Sequence, residues 1–143
     1  MLFRDEAPYL GSKASFEFFV RKSIDGTAAA TAANYGSIFT ADKPYQILEV
    51  HEIHETAGSD GGAVTLDITK DSSTDAPGAG VSVFASGTFN LKGTANTLQT
   101  KSVGSGIAGC LVRGQRLGLK DTGVLTAVAG VQVTIVLRAV EAC

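Results

Sequence analysis

The side chains best suited to metal or acid–base chemistry lie close together in residues 49–55, which read Glu-Val-His-Glu-Ile-His-Glu. A zinc protease uses two histidines four residues apart on one face of a helix, with a glutamate between them as base. Here the histidines are three residues apart in a strand-like segment, and that spacing directs side chains to opposite faces. We therefore expect no metal shared by His51 and His54, and expect these polar residues on an outer strand or at an interface.

Other patterns with chemical meaning lack the surroundings that the chemistry needs. Residues 104–109 satisfy G-x-G-x-x-G, but Gly114 and Gly118 follow where a pyrophosphate-binding helix would have to begin, so a flexible loop is predicted. No G-x-S-x-G elbow occurs, and neither histidine has a recognisable nucleophile context. Calcium-loop spacing is not met by the acids Asp60, Asp67, Asp71 and Asp75. The sequence predicts no catalytic residue, no metal, no cofactor and no enzymatic activity.

Two cysteines, Cys110 and Cys143, are too few for a disulfide framework, and their spacing does not match a zinc site. Cys110 has no helix N-terminus or evident base beside it that would lower its thiol pKa, so a buried thiol is expected. Reduced thiols are therefore the prediction. The position of Cys143 leaves open a bond to a neighbouring subunit under oxidising conditions.

The elements that would position these side chains are strands. Residues 130–140 alternate strictly, with Val131, Val133, Ile135 and Leu137 on one face, and residues 63–70 repeat the pattern. Residues 45–55 have mixed faces that a change of face near Val50 or a bulge would reconcile. Glycine-rich residues 58–62 lie between segments 45–55 and 63–70 and predict that these two segments form an antiparallel hairpin.

Seven to nine short strands, separated by turn signals, predict an all-β fold, and specifically a jelly-roll-like antiparallel β-sandwich. Residues 1–26 are interpreted as an extended N-terminal arm with a candidate first strand at 14–20, and residues 27–143 as the sandwich domain. The arm is expected either to dock its apolar residues on this domain or another chain, or to be a floppy end.

The overall composition reduces the classes of partner that are expected. The 143 residues have a net charge of −2 with both signs scattered, so no basic stripe is present and nucleic acid is not an expected partner. No apolar run is long enough to span a membrane, and acids near the N-terminus argue against a signal peptide, which predicts cytoplasmic synthesis and no membrane partner. A charged fraction of 18% is low for a free monomer and favours an assembly.

Several stretches together resemble the head decoration, or capsid cement, proteins of tailed bacteriophages. The resemblance covers roughly residues 34 to 139 and is carried by turns and strands rather than by a catalytic signature. Its sequences are Asn-Tyr-Gly-Ser-Ile-Phe-Thr-Ala at 34–41, Val-His-Glu-Ile-His-Glu-Thr-Ala-Gly-Ser-Asp-Gly-Gly-Ala-Val-Thr-Leu at 50–66, Phe-Asn-Leu-Lys-Gly-Thr-Ala-Asn-Thr at 89–97 and Leu-Lys-Asp-Thr-Gly-Val-Leu-Thr-Ala-Val-Ala-Gly-Val-Gln-Val-Thr at 119–134.

This resemblance implies a structural virion protein on the outer surface of the capsid. Such a protein would bind the major capsid protein lattice as a dimer or trimer and stabilise the head without any reaction. Large apolar anchors carry most interface energy, so the expected intersubunit or capsid contacts are Leu2, Phe3, Tyr9, Leu10, Phe16 and Phe18. The alternative is a tail or fibre module that recognises a host-surface receptor through loops 71–80 and 87–96.

Overall fold

The computed structural model describes residues 17–24 and 36–143, which form ten strands and one short 3₁₀ helix. Their bounds, in chain order, are β1 (Glu17–Ile24), β2 (Phe39–Thr40), β3 (Tyr45–Ile53), β4 (Thr65–Asp71), β5 (Val81–Ser82), β6 (Phe89–Asn90), β7 (Gln99–Lys101), the 3₁₀ turn (Gly106–Gly109), β8 (Cys110–Leu111), β9 (Arg116–Thr122) and β10 (Val131–Ala139). The described part of the chain contains no apolar helix of membrane-spanning length.

The strands form two antiparallel sheets. In sheet A the order is β1-β10-β3, with β7 and β8 both on the far side of β3; in sheet B it is β2-β9-β4, with β5 and β6 both beyond β4. When β5 with β6, and β7 with β8, are each counted as one strand, the sandwich has eight strands. Numbered one to eight along the chain, these strands have the order 1-8-3-6 in sheet A and 2-7-4-5 in sheet B. This is the double Greek key of a jelly roll, so the predicted fold class is confirmed.

The core lies between the sheets and is built by alternation. In β10, Val131, Val133, Ile135 and Leu137 are buried, and in β4 the inward residues are Leu66 and Ile68, as their spacing predicts. Burial of each such side chain contributes about 1.5–3 kcal/mol. The hairpin prediction is wrong, because β3 lies in sheet A and β4 in sheet B, so residues 58–62 cross between the sheets.

Strand β3 contains the predicted bulge. Its partner β10 pairs Val136 with Glu49 but the next residue, Leu137, with Ile47, which leaves Leu48 as the extra residue. A bulge of this kind shifts the alternation by one position. Before it the buried residues are Tyr45 and Ile47, and after it they are Val50, Glu52 and His54. The extra residue is therefore what turns a glutamate and a histidine toward the interior.

Strand β1 is a full member of sheet A, paired with β10 along all eight of its residues. Its inward residue Phe18 is half-buried and packs against Phe39 and Tyr45, with ring centroids 5.8 and 5.4 Å away. The outward residue Phe19 is 59% exposed. The alternation of strand side chains thus places the two rings on opposite faces, and the intersubunit role of Phe18 stays a prediction.

The expectation of reduced thiols is wrong. Cys110, at the start of β8, forms a disulfide with Cys143 of the same chain, across a sequence separation of 33 residues. The backbone N–H of Val140 also donates to the carbonyl of Pro44 at 3.1 Å. Sequence spacing could not show this pairing, because it depends on the order of the strands in sheet A. β10 and β8 lie on opposite sides of β3, and the residues after β10 return to Cys110 at the start of β8. The bond fastens the last residues to sheet A.

Candidate functional site

Glu52 and His54 form a fully buried acid–imidazole pair at the end of β3. Each has no solvent-accessible side-chain surface, and Nδ1 of His54 lies 2.9 Å from Oε1 of Glu52. Nε2 of His54 lies 3.2 Å from the carbonyl oxygen of Gly93, which can only accept, so this nitrogen carries a proton. The prediction that these two residues lie on an outer strand face or at an interface is therefore wrong, because the bulge places them inside.

The Glu52–His54 pair also makes contacts with residues 90–99, which run from the end of β6 to the start of β7. Gln99 donates from Nε2 to Oε2 of Glu52 at 2.6 Å and to the carbonyl of Asn90 at 2.9 Å, and its Oε1 accepts from the N–H of Asn90. The N–H of Asn96 donates to the carbonyl of His54 at 2.7 Å. The carboxylate and imidazole therefore hold residues 90–99 against β3.

Burial raises the pKa of Glu52 above its ordinary value, and the hydrogen bonds from His54 and Gln99 oppose that shift. Both carboxylate oxygens and both ring nitrogens already have partners. The arrangement matches a structural ion pair or hydrogen-bonded pair, which positions a loop. On the opposite face, His51 contacts Glu49 and Thr100 near solvent, so the expectation that the two imidazoles point apart is confirmed.

A second buried charge, Lys70, fastens the 3₁₀ turn to sheet B. Its ammonium group donates to the carbonyl of Ile107 and, at 3.1 Å, to that of Cys110, while only 7% of the residue is exposed. Burial lowers the pKa of Lys70. The G-x-G-x-x-G pattern thus ends in a 3₁₀ turn, Gly106–Gly109, that a lysine from another strand holds, where the sequence predicted a loop without secondary structure.

A third polar group holds the 72–80 loop on sheet B. Asp71 is fully buried and accepts the N–H groups of Gly78 and Gly80 at 3.0 and 2.9 Å. Arg116, on the neighbouring strand, donates to the carbonyls of Ser72 and Asp75. This loop, one of the two assigned to receptor recognition in the alternative function, is therefore fixed to the sheet at both ends.

We expect Asp71→Asn to lower the free energy of unfolding by about 1–3 kcal/mol, because one carboxylate acceptor becomes an amide donor that faces a buried N–H. Urea unfolding followed by circular dichroism measures this loss, and hydrogen exchange should show weaker protection of the N–H groups of Gly78 and Gly80. Glu141→Gln makes the same chemical change at an exposed position and is the matched control. Equal stability of the two variants would contradict the anchoring role.

Most of the predicted interface residues lie outside the described residues; these are Leu2, Phe3, Tyr9, Leu10 and Phe16. Within residues 17–24 and 36–143 the exposed large apolar side chains are Phe19, Val81, Leu98, Ile107, Val112 and Val124. Phe19 follows Phe18 in β1, and because strand side chains alternate, the two rings lie on opposite faces.

No group of three or more histidine, cysteine, aspartate or glutamate side chains in the described ranges could hold a metal ion. Comparison with protein-family models, with curated proteins and with solved structures finds no match to this chain.

Proposed function

We propose that this chain is a structural virion protein of a tailed bacteriophage, a decoration or cement protein that binds the outer surface of the major capsid protein lattice and stabilises the head. The sequence resemblance over residues 34 to 139 supports this function. So does a jelly-roll sandwich whose buried polar groups Glu52, His54, Lys70 and Asp71 hold its own loops.

The observation that carries the proposal is an exposed aromatic ring that follows, in sequence, the segment containing most of the predicted interface residues. Phe19 lies on β1 at the edge of sheet A and is 59% exposed. Exposed aromatic rings next to further apolar residues are typical of protein interfaces.

The disulfide is compatible with this location. Disulfides persist in oxidising surroundings, including virion surfaces, whereas the cytosol keeps thiols reduced. A protein that is synthesised in the host cytoplasm and released on a virion would form the bond between Cys110 and Cys143 after lysis. Repeated copies on a lattice would also allow weak individual contacts to give firm attachment.

Deletion of residues 1–12 is expected to weaken binding to phage heads that lack this chain by at least about tenfold, equivalent to about 1.4 kcal/mol. The fold should be retained, because the deletion ends before β1. Cosedimentation of purified protein with heads measures the binding, and urea unfolding measures the fold.

A variant with serine at Leu2, Phe3, Tyr9 and Leu10 keeps the length and charge of the arm and should show the same loss of binding. Undiminished binding of both variants would contradict the role of the arm. Incubation with host cells in parallel distinguishes the receptor-binding alternative: retention on cells with no binding to heads would overturn the decoration function.

A further inference from the structure

The free side of β1 has the properties of a pairing edge. β1 is the terminal strand of sheet A, and in the described ranges it pairs with β10 only. Its eight residues form a continuous ladder with β10 from Glu17 to Ile24, without a register shift. An edge strand of this kind presents N–H and C=O groups that another extended strand can pair with.

The side chains of β1 are complementary to their own copy in one antiparallel register. If Phe19 lies opposite Phe19 of a second copy, Glu17 lies opposite Arg21 of that copy and Arg21 opposite its Glu17. On the inner face, Phe18 then lies opposite Val20. Two ion pairs and three apolar pairs are formed by residues 17–21 of each copy.

Neighbouring registers are less favourable. A two-fold axis through Val20 places the ring of Phe18 opposite the charged Lys22, and Glu17 opposite Ser23. An axis through Arg21 brings two like charges together, which destabilises a cross-strand pair. The register centred on Phe19 is therefore selected by charge and by apolar matching.

The outer face of β1 is already arranged for this contact. Arg21 lies over the ring of Phe19, with its guanidinium carbon 4.9 Å from the ring centroid. This contact holds the guanidinium group close to the place where Glu17 of the second copy would lie. With Arg21 in this position the ring of Phe19 is still 59% exposed, and pairing would remove part of that exposed surface from water.

We propose that β1 is the self-association site of this protein, where two copies pair antiparallel about a two-fold axis through Phe19 and join their two A sheets into one. The partner is a second copy of the chain. This inference does not depend on the proposed function, and it is tested in solution without phage heads.

Cysteine cross-linking tests the register. Phe19→Cys places two thiols opposite each other, with Cα atoms about 4.5–5.5 Å apart, which a disulfide can bridge. Ser23→Cys is the control on the same face: the two Cα atoms would be about 26 Å apart in this register, since eight strand positions separate them. The native cysteines are already bonded to each other. We expect covalent dimer from Phe19→Cys and none from Ser23→Cys.

Charge-exchange variants test whether the strand that pairs with β1 is β1 of a second copy. Glu17→Arg and Arg21→Glu should each weaken self-association by at least about tenfold in sedimentation equilibrium at low salt, because each creates two like-charge pairs. A mixture of the two variants should recover association, since every facing pair is again opposite in charge. The double variant should recover it too, and recovery excludes misfolding as the cause of the loss.

The inference would be overturned by any of three results: a wild-type protein that stays monomeric at millimolar concentration, an association that neither single charge variant weakens, or cross-linking of Ser23→Cys as efficient as that of Phe19→Cys. Arm deletion and head binding are separate measurements, so failure here leaves the decoration function to its own test.

Discussion

His54→Ala is expected to lower the free energy of unfolding by about 3–5 kcal/mol at neutral pH, because it leaves Oε1 of the buried Glu52 carboxylate without a partner and only Oε2 bonded to Gln99. The N–H of the imidazole that donates to Gly93 is lost as well. Residues 90–99 should therefore loosen before the rest of the sandwich, which hydrogen exchange of their backbone N–H groups would show.

The pH dependence of this loss has a definite sign. Burial already raises the pKa of Glu52 in the native protein, and removing the His54 hydrogen bond removes one of the groups that oppose the shift. A raised folded-state pKa gives a contribution to stability that is complete below the unfolded value of about 4.5 and is lost as pH rises through the folded value. The deficit of His54→Ala relative to wild type should thus be smallest near pH 4.5 and should grow toward pH 8.

Urea unfolding of both proteins across this pH range measures the difference directly. Burial also raises the pKa of Asp67, but that contribution is common to both proteins and cancels in the comparison. His51→Ala is the control, since His51 makes its contacts with Glu49 and Thr100 near solvent and should cost about 1 kcal/mol or less. Similar losses from the two histidine variants would contradict the stabilising role of the buried pair, and a pH-independent loss from His54→Ala would contradict its dependence on the Glu52 carboxylate.

Cys143→Ser is expected to lower the free energy of unfolding by about 3–4 kcal/mol under oxidising conditions. Opening a cross-link between residues 33 positions apart restores conformational entropy to the unfolded chain, and the chain-entropy relation gives this magnitude. Serine keeps the size of the terminal side chain, so the packing of the folded state changes little.

Urea unfolding with and without reductant distinguishes the loss of the disulfide from a loss of packing as the cause of lower stability. Wild-type protein should lose the same stability on reduction, whereas Cys143→Ser should not respond to the reductant. A reductant-independent loss would locate the effect in packing of the C-terminal residues rather than in the disulfide. Equal stability of variant and wild type in oxidising buffer would contradict the prediction.

The regular parts of the fold were predictable from side-chain alternation. β10 and the greater part of β4 bury one face of a strictly alternating segment, and the mixed faces of residues 45–55 correctly indicated a bulge. The short strand β6 was harder to predict: only two of its residues pair with β4, and Phe89 is buried in the segment 87–96 that was expected to be a loop. Residues 120–122 read Lys-Asp-Thr before Gly123, a sequence typical of a turn, but they continue β9 because pairing with β4 overrides their local turn propensity.

The polar interior could not be predicted, because it depends on contacts between residues distant in sequence. Glu52 meets Gln99 from another strand, and Lys70 meets carbonyls some 40 positions away, so no local pattern indicates that either is buried. The disulfide has the same origin. The orientation of the phenylalanine rings is easier to predict, because strand alternation places Phe18 and Phe19 on opposite faces. Only the structure shows that Phe18 packs in an aromatic group with Phe39 and Tyr45.

The extra residue at Leu48 has a consequence for how this sequence can change in length. Removing Leu48 itself would restore simple alternation and leave Val50, Glu52 and His54 facing the core, whereas removing a residue between the bulge and Glu52 would turn Glu52 and His54 outward. Single-residue insertions or deletions in β3 away from the bulge therefore exchange its buried and exposed faces, whereas those in largely exposed segments such as 59–63 only lengthen or shorten a crossing. Divergent homologues should differ in length at the crossings or at the bulge and keep a constant count in the rest of β3.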